Sequence, residues 1–234
     1  FHAPPFNKQH PMHCEHHDTP SKLKLYIRGT LRPLLNLATP IQADVWWRML
    51  YRMLPVNYTL FFLQSQQPHI MECVYPGCSA VETMRHALVE CACVCSVWTW
   101  HSASWRQFGL EFSWSKLSDL DQVAVHPRWQ HMEEPLRKLW VMLAAVVLHT
   151  MWTHRNKTRF EDKPPPFVPA VRHSSLVSWS ASVRRLLRDP SVDDTDRLHI
   201  ATALSLLGQH THYSWFWAQN PWAFSPPSWA SPPP

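Results

Sequence analysis

Hydrophobic positions in this chain recur at helical rather than strand spacing. Between Ile41 and Leu54 two apolar rows, Val45, Met49, Met53 and Trp46, Leu50, Leu54, advance by four residues. They therefore share one face of a helix, with Arg48 and Arg52 on the opposite, wet face. Pro135 opens the strongest helix, which reaches about Phe160 and contains the unbroken apolar run Leu139–Leu148. That run is well short of the roughly 20 residues that span a bilayer, so it predicts a buried core helix and no membrane partner. Leu176, Trp179, Val183, Leu186 and Leu187 form the inner stripe of a further helix with Arg184, Arg185 and Arg188 outside. Another starts near Asp193-Asp194, whose side chains suit an N-cap, and stops at Gly208. Upstream, Ser21 begins a short basic helix with Lys22, Lys24, Arg28 and Arg32, interrupted near Pro33 because proline removes a donor and clashes one turn back. The expected fold is mainly α, a set of irregularly packed helices.

Composition changes this picture mainly at the edges. A length of 234 residues is enough for one domain or a domain and a half with a real core. With 22 prolines and only 4 glycines, helices are expected to be broken by proline and flanked by extended segments. Residues 1–20, with His10, His13, Cys14, His16 and His17 among prolines, read as a disordered leader. Residues 21–115 and 116–163 read as a helical domain and its core extension, and Pro164-Pro165-Pro166 as a stiff linker to a helical pair over 164–210. Residues 211–234, rich in Trp and Pro, read as a disordered tail. Pro166-Phe167-Val168-Pro169 has a weak polyproline-ligand pattern. Trp98, Trp100, Trp105, Phe108, Phe112 and Trp114 form an aromatic stretch that is read as core, with stacking on single-stranded bases the minority alternative. The formal charge of +5, with 16 histidines beside it, is compatible with a polyanionic partner. A first residue of Phe rather than Met fits a fragment of a longer reading frame.

The chemistry concentrates in one short stretch, Cys73-Val-Tyr-Pro-Gly-Cys78 through His86 to Cys91. Three thiolates and one imidazole suit tetrahedral zinc, which needs paired ligands on a turn and a second pair on a rigid element. Pro76-Gly77 reads as a tight turn that folds two thiolates toward one point. From Val81 to Val97 the chain is rich in helix formers. His86 and Cys91 lie five positions apart, about one and a half turns, so a regular α-helix splays them. The pair therefore predicts a fraying helix at Cys91 or a helix start near His86. The competing reading is of buried free thiols and a core histidine. Cys93 and Cys95 compete with Cys91 for the fourth ligand place.

The same segment resembles a known family. Val45-Trp46-Trp47-Arg48-Met49-Leu50, the stop at Leu54-Pro55, the cysteine pair, Glu82-Thr83 ahead of His86 and Cys91, and Val97-Trp98 occur in the order seen in the zinc-binding domain that follows the reverse transcriptase of non-LTR retrotransposons. Met151-Trp152-Thr153-His154-Arg155-Asn156 resembles the "W..RN" element often found downstream of it. The resemblance covers roughly Ile41 to Trp105, and it has four residues between the first cysteines where the family usually has two. It implies a small zinc knuckle with Cys91 as fourth ligand. It also implies a Zn2+ cofactor, RNA or DNA as partner together with the remainder of a retroelement polyprotein, and an intracellular location, nuclear or cytoplasmic. The candidate nucleic-acid contacts are Arg48, Arg52, Arg155, Lys157 and Arg159, the last three at the basic end of the long helix, where the dipole also favours cations.

No enzyme is expected. Asp193, Asp194 and Asp196 sit together at one helix start, whereas two-metal chemistry needs carboxylates converging from separate elements. The Tyr-x-Asp-Asp polymerase signature is missing, and four glycines leave no phosphate-cradling loop. The expected function is a non-catalytic, zinc-binding, nucleic-acid-interacting accessory domain. The alternatives are a helical protein-interaction module or a decayed retroelement remnant.

Overall fold

The computed structural model describes residues 19–223 and contains, among them, helices and no strand. The longer elements are α1 (Pro20–Tyr26), α2 (Arg32–Leu35), α3 (Pro40–Leu50), α4 (Ala92–Trp105), α5 (Trp114–Ser118), α6 (Glu133–Glu161), α7 (Val168–Leu187), α8 (Asp194–Gln209) and α9 (Thr211–Gln219). Helix α6 is the axis of the fold. Its run Leu139–Leu148 is buried on every side because α2, α3, α7 and α8 pack around it. Trp140 lies parallel to Phe112 with ring centroids 5.0 Å apart and meets Trp46 of α3 at 6.5 Å. The indole N–H groups of Trp46 and Trp179 are not stranded in this core, since they donate to the carbonyls of Leu117 (2.9 Å) and Leu139 (3.0 Å). Among the described residues one continuous hydrophobic cluster runs from Leu23 to Ala223. No helix of the described residues is long and apolar enough to cross a membrane.

Local structure departs from the sequence expectation in four places. Pro33 does not interrupt the first helix. A π turn, Ile27–Leu31, joins α1 to α2. It contains Gly29, whose carbonyl stands one turn ahead of Pro33, and widening the turn there relieves the clash that proline makes inside a regular helix. Helix α3 ends at Leu50, not Leu54, because Arg52 takes a left-handed φ of 54°. Met53 is consequently 66% exposed, Leu54 enters the core from a loop, and Arg52 no longer shares a helical face with Arg48. The Pro166–Pro169 pattern is not an extended ligand, since Val168 and Pro169 form the first turn of α7. Lastly, residues 211–219, expected in a disordered tail, fold as α9. Tyr213 and Phe216 stand three apart on one face and are fully buried. Of the expected leader, Thr19 caps α1 and Pro20 opens it, and residues 221–223 of the expected tail form a short helical turn; residues 1–18 and 224–234 lie outside the described residues.

The aromatic stretch is core, with Trp98, Trp105, Phe108 and Phe112 buried and Trp100 and Trp114 half-buried. It continues into α9 through a polar contact. The Tyr213 hydroxyl accepts from Trp105 Nε1 (3.1 Å) and pairs with His101 Nδ1 (2.7 Å). Trp100 and Phe112 wall the His101 ring, and its Nε2 is buried without a partner among the described residues. Burial, assisted by the nearby Arg172 and His212, pushes His101 down to about 3.

Two outcomes follow from these contacts. At Gly208 a Cβ comes within 2.4 Å of the Trp217 indole, which is itself stacked on Tyr213. Gly208→Ala gains at most about 1 kcal/mol of helix propensity. It meets a rigid ring whose displacement costs about 1–3 kcal/mol, so the variant melts below the parent in a thermal scan. His101 stays neutral in the fold while the unfolded chain takes up a proton near its ordinary value of 6.5. Stability therefore falls as pH drops from about 6.5 toward about 3, by up to about 1.4 kcal/mol per pH unit. His101→Gln shows a shallower fall in denaturant midpoint between pH 7 and 4.5, and an unchanged slope rules out this proton.

Candidate metal centre

The first ligand pair is set by a turn. Tyr75-Pro76-Gly77-Cys78 closes through Cys78 N–H to the Tyr75 carbonyl (3.2 Å), with Gly77 at φ 78°. Proline second and a positive-φ glycine third are the marks of a type II turn. An isolated antiparallel bridge between Glu72 and Val81 closes the base of the loop, with Cys73 N–H donating to Ala80 (2.9 Å) and Glu82 N–H to Met71 (2.8 Å). The four residues between Cys73 and Cys78 are thus Val74 and the first three residues of the turn, a longer loop that still points both thiols to one place.

A π turn sets the second pair. Thr83 Oγ1 accepts His86 N–H (3.1 Å) at the start of the helical segment, and His86–Glu90 then winds as a π turn closed by Cys91 N–H to the His86 carbonyl (2.9 Å). In a regular α-helix, residues five apart point about 140° away from each other. An i→i+5 bond brings the fifth residue back above the first. At Cys91 the backbone leaves helical geometry (φ −54°, ψ 135°) before α4 begins. Both sequence expectations hold together here, the break at Cys91 and the helix start near His86. Trp98 Nε1 donates to the Leu88 carbonyl (2.7 Å) inside the widened turn.

The ligand atoms of Cys73, Cys78, His86 and Cys91 all lie within 4.8 Å of one another, and this group can hold a metal ion. Cys73 Sγ stands 3.7 Å from Cys91 Sγ and Cys78 Sγ 3.4 Å from His86 Nε2. A tetrahedral centre with metal–sulfur bonds of about 2.3 Å and a metal–nitrogen bond of about 2.0 Å has edges of about 3.8 Å between sulfurs and about 3.5 Å between sulfur and nitrogen. Cys91 is buried, Cys73 and Cys78 half-buried, and Tyr75 closes the site from the core side. The hydrogen bond with Cys73 lowers Cys91 to about 5, favouring its thiolate. The same bond and burial raise Cys73. Cys93 and Cys95 stand outside the converging group, half-buried and exposed respectively. Cys14 lies outside the described residues.

Beside the cluster is an element that sequence reasoning misassigned. Arg155, expected to contact nucleic acid, is 1% exposed and forms an ion pair with Glu82, which is fully buried. Glu82 Oε1 accepts from Arg155 Nε (3.2 Å) and NH2 (2.5 Å) and from Asn57 N–H (2.9 Å), and Oε2 accepts from Val74 N–H (3.3 Å). Arg155 also donates to the Asn57 (3.0 Å) and Asn156 (3.1 Å) side-chain oxygens and lies over the Trp152 ring at 5.0 Å. Its guanidinium is spent inside the protein because an unpaired buried carboxylate costs several kcal/mol. Glu82 and Asn57 therefore belong to the site's support. The signal available in the sequence was that Glu82 and Arg155 both lie in segments resembling the same family, Glu82-Thr83 and Trp152…Arg155-Asn156.

The remaining candidate contacts lie in two places, on and just after α3 and at the end of α6. Arg48 pairs with Asp44 (2.8 Å) on α3, and Arg52 is exposed on the loop after it. Lys157 is exposed and Arg159 half-exposed at the end of α6, where Thr158 and Arg159 face Cys73, Val74, Asn57 and His69 across an open groove. Comparison with protein-family models, curated proteins and solved structures gives no match to this chain.

The Glu82–Arg155 pair has a measurable signature. Arg155→Ala leaves the carboxylate buried alone and costs about 3–5 kcal/mol in denaturant unfolding. Adding Glu82→Gln recovers part of that loss, since the uncompensated charge is gone. Equal losses in the single and double variants contradict the pairing.

Proposed function

We propose that this chain is a zinc-stabilised, non-catalytic accessory domain that interacts with nucleic acid as part of a retroelement reverse-transcriptase polyprotein. The observation that carries the proposal is the convergence of Cys73, Cys78, His86 and Cys91 within 4.8 Å, with the Cys73–Cys91 and Cys78–His86 edges at tetrahedral length. Soft thiolates with one imidazole select zinc over hard cations, and four protein ligands close the coordination as in a structural site. Thiolate ligation requires a reducing, intracellular compartment. The retroelement reading draws support from the meeting of two separate resembling segments, Glu82-Thr83 and Arg155-Asn156, across one buried ion pair beside the cluster. Arg159, which lines the groove beside the knuckle, and the exposed Lys157 supply phosphate contacts, while Arg155 holds the knuckle in place.

Purified protein is expected to carry one zinc ion per chain, lost when any of Cys73, Cys78, His86 or Cys91 is changed to Ala; zinc retained in all four variants sinks the metal site. Structural zinc contributes on the order of 10 kcal/mol in isolated fingers. Chelation therefore raises hydrogen exchange over residues 70–100 and leaves the Leu139–Leu148 run protected. Labelled RNA titrated at two salt concentrations binds saturably, and Lys157→Glu with Arg159→Glu weakens it and flattens its salt dependence. Binding that never saturates returns the chain to a protein-interaction or remnant role.

A further inference from the structure

Arg48, Arg85, Lys116, Lys138, Arg155 and Arg197 each face a carboxylate. The first helix differs from these. Lys24, Arg28 and Arg32 are exposed, make no hydrogen bond or ion pair among the described residues, and line one concavity with Pro20, Leu23 and Ile27 and no carboxylate. Positions four apart rise about 6 Å along a helix, comparable to the separation of neighbouring phosphates along a nucleic-acid strand. Gly29 sits exposed among them with nothing within 4 Å of where a Cβ would stand, so the helix backbone is open to close approach. At the end of this helix the exposed Arg185 of α7 donates to the Leu37 carbonyl (2.7 Å).

We propose that the Lys24–Arg28–Arg32 concavity, extended by Arg185, is a binding track for the phosphodiester backbone of a nucleic acid. This rests on the nucleic-acid reading given above and moves its main contact from the end of α6 to the first helix. Guanidinium groups offer paired donors to phosphate oxygens, and an acid-free concavity concentrates the positive field. An anionic membrane is the lesser fit. Surface-lying helices insert a broad apolar face, whereas Leu23, Tyr26, Leu31 and Leu34 are committed to the core and Leu25 is left exposed alone.

The test uses the full chain, a labelled single-stranded RNA, and vesicles containing phosphatidylserine. Lys24→Gln, Arg28→Gln and Arg32→Gln together lower the slope of log affinity against log salt by about 2 and weaken binding at least tenfold at about 0.1 M salt. Circular dichroism and melting confirm that this surface variant is folded. If the parent binds RNA and the triple variant matches it in slope, this location is overturned while the nucleic-acid reading stands. If the parent does not bind RNA saturably, both fall. Saturable binding to vesicles but not to RNA overturns the phosphodiester assignment in favour of a lipid surface.

Discussion

A carboxylate and a guanidinium removed from water within a helical core cost several kcal/mol each unless every lone pair and N–H is engaged. Glu82 and Arg155 meet that condition by recruiting what surrounds them. The backbone N–H groups of Asn57 and Val74, the Asn57 amide and the Asn156 side chain all close on the pair. This requirement fixes three segments against α6 at once. Val74 is adjacent to the ligand Cys73, Thr83 caps the turn that carries His86, and Asn57 anchors the loop after α3 through its second bond to the Glu72 carbonyl (2.6 Å). The metal-binding geometry is therefore held from outside as well as by the ligands themselves.

The cluster also depends on two backbone conformations that cost energy when isolated. A π turn is uncommon because its hydrogen bonds are poorly placed, and such turns recur where a side chain must be re-aimed. Here the π turn converts an unfavourable five-residue spacing into a ligand pair, and Trp98 donates into the widened turn at Leu88. The type II turn at Pro76-Gly77 does the corresponding work for the other pair. The hydrogen bond between Cys73 and Cys91 favours the Cys91 thiolate, the electronic character of a site built to accept a soft cation.

Charge placement narrows the surface on which a polyanion can be read. Some cations that look free in sequence are consumed by partners from distant elements, as Arg155 is by Glu82 and Lys138 by Asp196 (2.9 Å). Lys24, Arg28 and Arg32 instead line one concavity along the first helix, a segment whose apolar side is buried against Leu120 through Tyr26.

Elements whose signal lies in consecutive residues were legible in the sequence. The Leu139–Leu148 run, the α7 stripe from Leu176 to Leu187, the Asp193 cap, which accepts Asp196 N–H at 2.7 Å, and the four soft ligands all follow from periodicity, residue type or spacing. Tertiary structure alone decided the rest. Arg155 and Lys157 look alike at a helix end, yet one faces Glu82, 73 positions away, and the other faces water. Tyr213 and Phe216 read as tail until α4 and α8 offer them a surface, and Arg52 left its helical face through a single left-handed φ. Periodicity is a property of neighbours along the chain, whereas the partner of a polar or aromatic group is chosen by burial, which depends on residues the local pattern does not contain.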